Sequence, residues 1–272
     1  VPSEDIKIPT AGPIIDSHAH VVKEYFADDQ DIVIDRAFEC GIVQMVNPGV
    51  DIKSIPELLE LKERYEHIHV GAGLHPHEAN LWDANAKDIV RKAASQPKVV
   101  AIGECGLDFF YNNSDHESQI RAFTDQIHLA REMSKPLIIH CRDAWAEALD
   151  LLEKEGGHEV RGVFHCFTGG PELLERIAAL DFYVSFSGIV TFNKAQNIQE
   201  AAKLVPDNRI LCETDCPYLA PQKVRGKRNE PRFVWFVAEK LAELRHSTLE
   251  KVASSCTDNA RALFNLPVPK NS

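Results

Sequence analysis

Asp16-Ser17-His18-Ala19-His20 follows the apolar pair Ile14-Ile15. A two-residue spacing on an extended chain puts both imidazoles on one side, where they can reach one ion. Taken alone, the pair reads equally as two hydrogen-bonded histidines at a strand end. The pattern recurs, however. Ile102-Gly103 leads into Glu104, Ile138-Ile139 into His140, Val163-Phe164 into His165, and Leu211-Cys212 into Glu213-Thr214-Asp215. Five apolar runs that each deliver a ligand-type side chain at the same end outweigh the bland reading of any one of them. His18, His20, His140, His165, Glu104 and Asp215 form a mixed imidazole and carboxylate set suited to Zn²⁺, Mn²⁺ and related ions. Six ligands exceed the roughly three that a catalytic zinc keeps beside its open position, so the set points to two divalent ions sharing a bridging carboxylate.

These residues lie far apart in the chain, and only certain folds bring them together. Eight apolar or β-branched runs are expected to be strands: Ile14–Ser17, Ile42–Val46, His69–Gly73, Val99–Gly103, Leu137–His140, Gly162–His165, Phe182–Phe186 and Arg209–Glu213. Helical periodicity occupies Ile52–Tyr65, Asp83–Ala94, His116–Met133, Ala144–Glu155, Pro171–Leu180 and Ala195–Leu204 between them. Eight alternating units favour a closed (β/α)8 TIM-type barrel over an open doubly wound sheet. In such a barrel all the C-terminal strand ends meet at one mouth. Two additional C-terminal helices are expected over Pro231–Phe264, with Ser247 and Glu250 as a capping box. The chain reads as one domain over 1–272, with 1–12 and 267–272 as loose ends.

Composition agrees with a soluble globular enzyme, at 44% apolar and 26% charged residues. No run approaches the roughly 20 apolar residues of a membrane span, and the first twelve residues lack the pattern of a secretory signal. Seven cysteines without a C-x-x-C pair read as reduced thiols, which suggests a cytoplasmic protein. Cys105, Cys141 and Cys166 each follow a proposed ligand and should face away from the ions. No glycine-rich phosphate loop follows any strand. Thirty basic against forty-one acidic side chains give a net charge of -11, so any contact with a polyanion must be local.

In combination the motifs are specific, and the chain closely resembles the TatD family of metal-dependent deoxyribonucleases, within the amidohydrolase-like barrels. The matching stretches are Asp16 to His20, Gly73-Leu74-His75-Pro76-His77, Ala101 to Asp108, Ile139-His140-Cys141-Arg142, His165-Cys166-Phe167, Glu213-Thr214-Asp215 and Arg225 to Pro231. Cys105 stands where many members have Thr or Val. The resemblance implies His18, His20 and Asp215 on one metal, His140 and His165 on the other, and Glu104 between them.

With the family in view, phosphate contacts are expected from His75, Arg142 and the basic loop Lys223 to Arg228, in which Arg225, Lys227 and Arg228 stand out. Asp108 is expected to hold Arg142 or a water at the ions, or else to cap the following helix. Glu213 should orient a ligand. Asp143 reads as a helix cap and Trp145 as a packing residue. The expected activity is hydrolysis of phosphodiesters in DNA, single-stranded or frayed, from a 3′ end, with RNA possible and with Mg²⁺, Mn²⁺ or Zn²⁺ as cofactor. Asp215 would accept the proton of the attacking water, and Glu104 would bridge the ions. No membrane and no obligate protein partner enter the scheme. The rival readings are a small-molecule amide, ester or phosphoester hydrolase on the same barrel and a non-catalytic nucleic-acid-binding barrel.

Overall fold

The computed structural model describes residues 6–269. Eight parallel strands form one sheet in sequential order: β1 (Ile14–Asp16), β2 (Ile42–Asn47), β3 (Ile68–Ala72), β4 (Val99–Asp108), β5 (Leu137–Arg142), β6 (Gly162–Phe164), β7 (Tyr183–Phe186) and β8 (Ile210–Cys212). The seam between β8 and β1 closes through Ser17 N donating to Cys212 O at 3.2 Å, while Asp215 N donates to His18 O at 2.9 Å. The result is the expected (β/α)8 TIM-type barrel.

Helices α1 (Lys23–Phe26), α2 (Gln30–Glu39), α3 (Ile55–Arg64), α4 (Ala84–Ala94), α5 (His116–Met133), α6 (Trp145–Leu151), α7 (Leu174–Ala179) and α8 (Gln196–Leu204) alternate with the strands. The last two helices are α9 (Val234–Leu244) and α10 (Leu249–Phe264). Asp83 and Asp115 start α4 and α5 by accepting from Ala86 N and Ser118 N, both at 2.8 Å. Each bond satisfies an amide that the first helical turn leaves free.

Two capping expectations are corrected. Thr248, not Ser247, starts α10, with its hydroxyl accepting from Lys251 N at 3.2 Å. The Ser247 amide still belongs to the end of α9, where it donates to Ala242 O. Asp143 does not cap α6 either; it has a positive φ of 53°, and Ala144 occupies the N-cap position with no side-chain bond.

Alternation along the strands divides the apolar residues into an inner and an outer set. Ile15, Val46, Ala101, Ile138, Val163, Tyr183 and Leu211 cluster inside the barrel together with Ala260, Leu263, Phe264 and Leu266. The last four come from α10 and its end, so this helix fills the floor of the barrel. Ile14, Met45, Ile102, Ile139, Phe164, Val184 and Cys212 pack outward against the helical layer. The ends of the chain were expected to be loose. Ile6 and Ile8 instead pack against the group formed by Val224, Phe233 and Phe236, and Pro267 O accepts from Gln44 Nε2 at 3.0 Å. Residues 1–5 and 270–272 lie outside the described residues.

Candidate metal centre

The inner face continues past the apolar layer into the mouth of the barrel. Two residues beyond Ile138 on β5 comes His140, two beyond Val163 on β6 comes His165, and beyond Leu211 on β8 come Glu213 and then Asp215. The period of two therefore delivers each polar group to the same side as the inner core.

Glu104 needs more than alternation. Ile102 pairs with Leu137 and Cys105 with Ile139, so β4 spends one more residue than β5 over this step. The bulge keeps Ile102 and Cys105 both outward and turns Glu104 inward. Gly103 permits it: its φ is +144°, and a Cβ there would lie 2.6 Å from the Ile138 carbonyl oxygen. Gly73 must be equally bare, because its Cβ would stand 2.5 Å from the Gly103 Cα.

The two oxygens of Glu104 face two different sets of donors. Oε2 lies 3.3 Å from His18 Nε2 and 3.6 Å from His20 Nε2. Those two nitrogens are 3.0 Å apart and stand 3.7 and 3.4 Å from Asp215 Oδ1. Oε1 lies 2.9 Å from His165 Nε2 and 3.3 Å from both His140 Nδ1 and His75 Nε2. Donors bound at about 2.1 Å to one ion are separated by roughly 3.0 to 3.4 Å in octahedral or tetrahedral geometry. The observed spacings, from 2.9 to 3.7 Å, centre on that range, and the donor types suit a divalent cation, so the residues fit a cation on each side of Glu104.

Beside the six expected ligands stands His75, which was expected to contact phosphate: its amide bonds to Val50 O at 2.9 Å and its ring turns in over Glu104, beside His140. Burial pushes its pKa down to about 4. Its Nδ1 accepts from His77 N at 3.1 Å, so the neutral ring carries its hydrogen on Nε2, the nitrogen that faces Glu104.

Electrostatics follow from this crowding. Burial opposes ionisation of Glu104, but the imidazoles of His165, His75 and His140 outweigh it and hold the carboxyl well below its ordinary range. Asp215 is lowered in the same way, against burial, by His20, His18 and His165. His18 is driven down by burial and by His165, whose ring stacks on it at 3.8 Å. Burial also disfavours the charged forms of His140 and His165, yet both are raised. Asp108 and Glu104 do this for His140, and Glu104 and Glu213 for His165.

The supporting carboxylates stand where the sequence put them. Glu213 Oε1 lies 3.2 Å from His165 Nδ1 and accepts from Cys166 N at 2.7 Å. Asp108 Oδ2 lies 3.0 Å from His140 Nε2, which fixes the ring so that Nδ1 faces Glu104. Asp108 neither grips Arg142 nor caps α5. Its Oδ1 accepts from the amides of Phe110 and Tyr111 at 3.0 and 2.9 Å, and Arg142 lies over those two rings instead.

Two residues near the centre escape the sequence reading. His77 Nε2 shares Asp108 Oδ2 at 3.0 Å. Asp16 accepts from Thr214 N at 2.9 Å and from Thr214 Oγ1 at 2.6 Å, tying β1 to the segment that presents Asp215. Burial raises its carboxyl to about 8 despite those bonds. The histidine of Gly73 to His77 and the acid of Asp16 to His20 were both inside quoted motifs, and their polar type was the available signal.

The basic loop after β8 is folded back by Asn229, whose Nδ2 donates to Thr214 O at 2.8 Å. Its charges are partly committed. Arg228 pairs with Asp29, Lys223 with Glu239, and Arg225 lies over the Phe192 ring at 4.6 Å. Lys227 meets no carboxylate among the described residues. Cys105 and Cys141 pack in the outer core as expected, whereas Cys166, past the end of β6 with a positive φ of 43°, is half-buried with its sulfur 3.1 Å from Ser187 Oγ and feels the charges of Asp215 and Glu213.

Comparison with known proteins agrees with this geometry. Residues 15–265 match the family model described as TatD related DNase. The metal-dependent hydrolase YabD of Bacillus subtilis is 41% identical over 255 residues, covering 93% of this chain and 99% of YabD. The protein named 3′-5′ ssDNA/RNA exonuclease TatD in Salmonella typhimurium is 34% identical over 258 residues, covering 93% and 99%. The crystal structure of the TatD homologue YJJV from Escherichia coli superposes with a TM-score of 0.87 at 27% identity, over 93% of this chain and 98% of that one. No helix is long and apolar enough to cross a membrane among the described residues. The chain belongs to the TatD related DNase family and is a metal-dependent hydrolase.

Proposed function

We propose that the protein is a nuclease that hydrolyses phosphodiester bonds at the unpaired 3′ end of DNA, and also of RNA, with two divalent cations. The observation that carries this reading is the division of Glu104, whose two oxygens face separate donor sets. Two cations a few ångströms apart suit in-line displacement at phosphorus. The exonuclease names of TatD relatives at 33 to 34% identity support the substrate class.

The cations, when bound, supply Lewis-acid chemistry that acidifies water and neutralises charge at the phosphoryl group. The chain's own residues do the rest. His18, His20 and Asp215 would hold one cation, His140 and His165 the other, and Glu104 would face both; His75 offers its Nε2 hydrogen to a phosphate oxygen at the same mouth. Asp215, kept ionised by its histidine neighbours, takes the proton of the attacking water. Arg142, two residues past His140, places a permanent positive charge at the mouth for a non-bridging oxygen. Arg225 and Lys227 remain the members of the basic loop free to meet a phosphate, because neither charge is paired with a carboxylate among the described residues.

A second reading, a small-molecule ester or amide hydrolase, is favoured by one fact: Arg228 and Lys223 already have carboxylate partners. Metal-stripped protein should be inactive. Reconstitution with Mg²⁺, Mn²⁺ or Zn²⁺ should bring two ions per chain and restore cleavage of end-labelled single strands of DNA and RNA. Uptake of a single ion sinks the two-cation scheme, and hydrolysis confined to small esters or amides decides for the second reading.

A further inference from the structure

Of the aromatic side chains in the described residues, three are more than a third exposed: Phe110, Tyr111 and Tyr218, at 53%, 54% and 49%. All three border the candidate centre. Phe110 and Tyr111 stand on the side of His140. Their rings are 4.9 Å apart, edge to face, and Tyr111 is 5.5 Å from the His77 ring. Tyr218 stands on the opposite side, 6.4 Å from the His20 ring, backed by Tyr25 at 5.6 Å. The centre is bracketed by exposed rings.

Both sides are tied to the donors themselves. The Asp108 carboxylate that fixes His140 through Oδ2 fixes the backbone of Phe110 and Tyr111 through Oδ1. Tyr218 N bonds to the carbonyl of Asp215 at 3.0 Å, and Asn229 Nδ2 holds the Tyr218 carbonyl at 2.6 Å. These anchors hold the bearing segments in register with the ligands, unlike rings on a free loop.

We propose that these rings stack the unpaired bases on either side of the scissile phosphate, Phe110 and Tyr111 taking one base and Tyr218 the other. The proposal rests on the nuclease reading above and gives it a binding mode. An acidic protein whose loop cations are partly paired has little phosphate attraction to spend. A ring face attracts any base, so stacking supplies affinity without a sequence preference. It also requires bases freed from their partners, which explains a preference for single strands and frayed ends. Arg142, 3.9 Å over the Phe110 ring, adds a second flat cationic surface at the same place.

The test compares a short DNA strand with one in which the last two bases are replaced by abasic tetrahydrofuran units, using the metal-loaded protein. Wild type should show a KM at least about 30-fold higher for the abasic strand. The variant Phe110→Ala/Tyr111→Ala should have a raised KM for the natural strand and lose about half of that abasic penalty on a logarithmic scale, the rest being left to Tyr218. Its salt dependence should run parallel to that of wild type, since no phosphate contact is removed. Strands with 2-aminopurine at the last or at the penultimate nucleotide should both be quenched on binding wild type, and one of the two much less on binding the variant. Phe110→Leu/Tyr111→Leu keeps the apolar bulk and guards against a folding artefact; it should behave like the alanine variant in both assays. Equal KM for natural and abasic strands in wild type, or a full abasic penalty in the variants, overturns the stacking while leaving the nuclease intact. Failure to cleave any strand of DNA or RNA overturns the nuclease reading and the stacking with it.

Discussion

The two ends of the barrel interior hold the same kind of residue in opposite circumstances. At the mouth, His140 and His165 each lie between two carboxylates, and His18 and His20 point their Nε2 atoms at each other and at Glu104. At the floor, His69 stands beside Val46, with its Nε2 3.2 Å from Gln44 Nε2 and its Nδ1 without a hydrogen-bond partner. Among the described residues no carboxylate pairs with it. Burial, with Lys98 and His67 adding to it, drives its pKa down to about 4. An imidazole inside a barrel becomes a candidate ligand through convergence with acids from other strands. Without that convergence it is a packing residue in an apolar plug.

The strongest way to separate the two ends is to remove Glu104. Glu104→Ala deprives both donor sets of the carboxylate they share, so turnover should fall to near background, while far-ultraviolet circular dichroism keeps its native form. A folded variant with near wild-type turnover at saturating metal would show that the mouth does not need a shared carboxylate.

The floor should respond the other way. Phe264 is buried in the inner cluster, and Phe264→Ala should cost about 3–5 kcal/mol of stability through lost burial and a cavity. Below its unfolding temperature the variant should bind as much metal as wild type and turn over at a similar rate. Loss of metal at low temperature would mean that floor and mouth are mechanically coupled.

The smallest effect is a difference of sign. In the metal-free protein the folded pKa values of His140 and His165 lie above the unfolded value of about 6.5. Their contribution to stability is full below that value and is lost as pH rises through the folded one. His69 is lowered to about 4, so its contribution is present above about 6.5 and is lost as pH falls toward 4. Thermal unfolding of metal-free protein should therefore peak near the junction of the two windows. Metal binding, which needs the mouth imidazoles deprotonated, should tighten with rising pH through the upper window alone. Calorimetry at a series of pH values reads both, and a metal affinity independent of pH would remove the mouth histidines from the ligand set.

Much of this was legible in the amino-acid order because period-two alternation carries straight from core to mouth: Ile138 announces His140, Val163 announces His165, and Leu211 announces Asp215. Glu104 was found by its place after an apolar run, but its inward direction depends on the extra residue in β4, which alternation would have read the other way. Helix α2 was not singled out although Val33, Ile34 and Ala37 repeat at helical spacing, because the polar residues around them dilute the pattern. The approach of the His75 ring to Glu104 was not legible, because only the fold of the chain after β3 decides what that ring meets. Partners of the basic loop were invisible for the same reason: Asp29 and Arg228 are 199 positions apart. Exposure of Phe110, Tyr111 and Tyr218 left no mark in the sequence, where they resemble any other core aromatic.

The packing of α10 into the floor has a consequence for synthesis of the chain. The inner cluster draws residues from the strands and from Ala260, Leu263, Phe264 and Leu266, and β1 finds its second neighbour only in β8. A chain still being translated can assemble the outer helix–strand pairs in order. It cannot seal its interior until the segment around residue 264 has left the ribosome's exit tunnel. The metal-binding mouth, whose donors run from His18 to Asp215, is therefore fully translated before the floor that stabilises it. For that interval the apolar residues that line the barrel lack the side chains that pack against them in the finished fold.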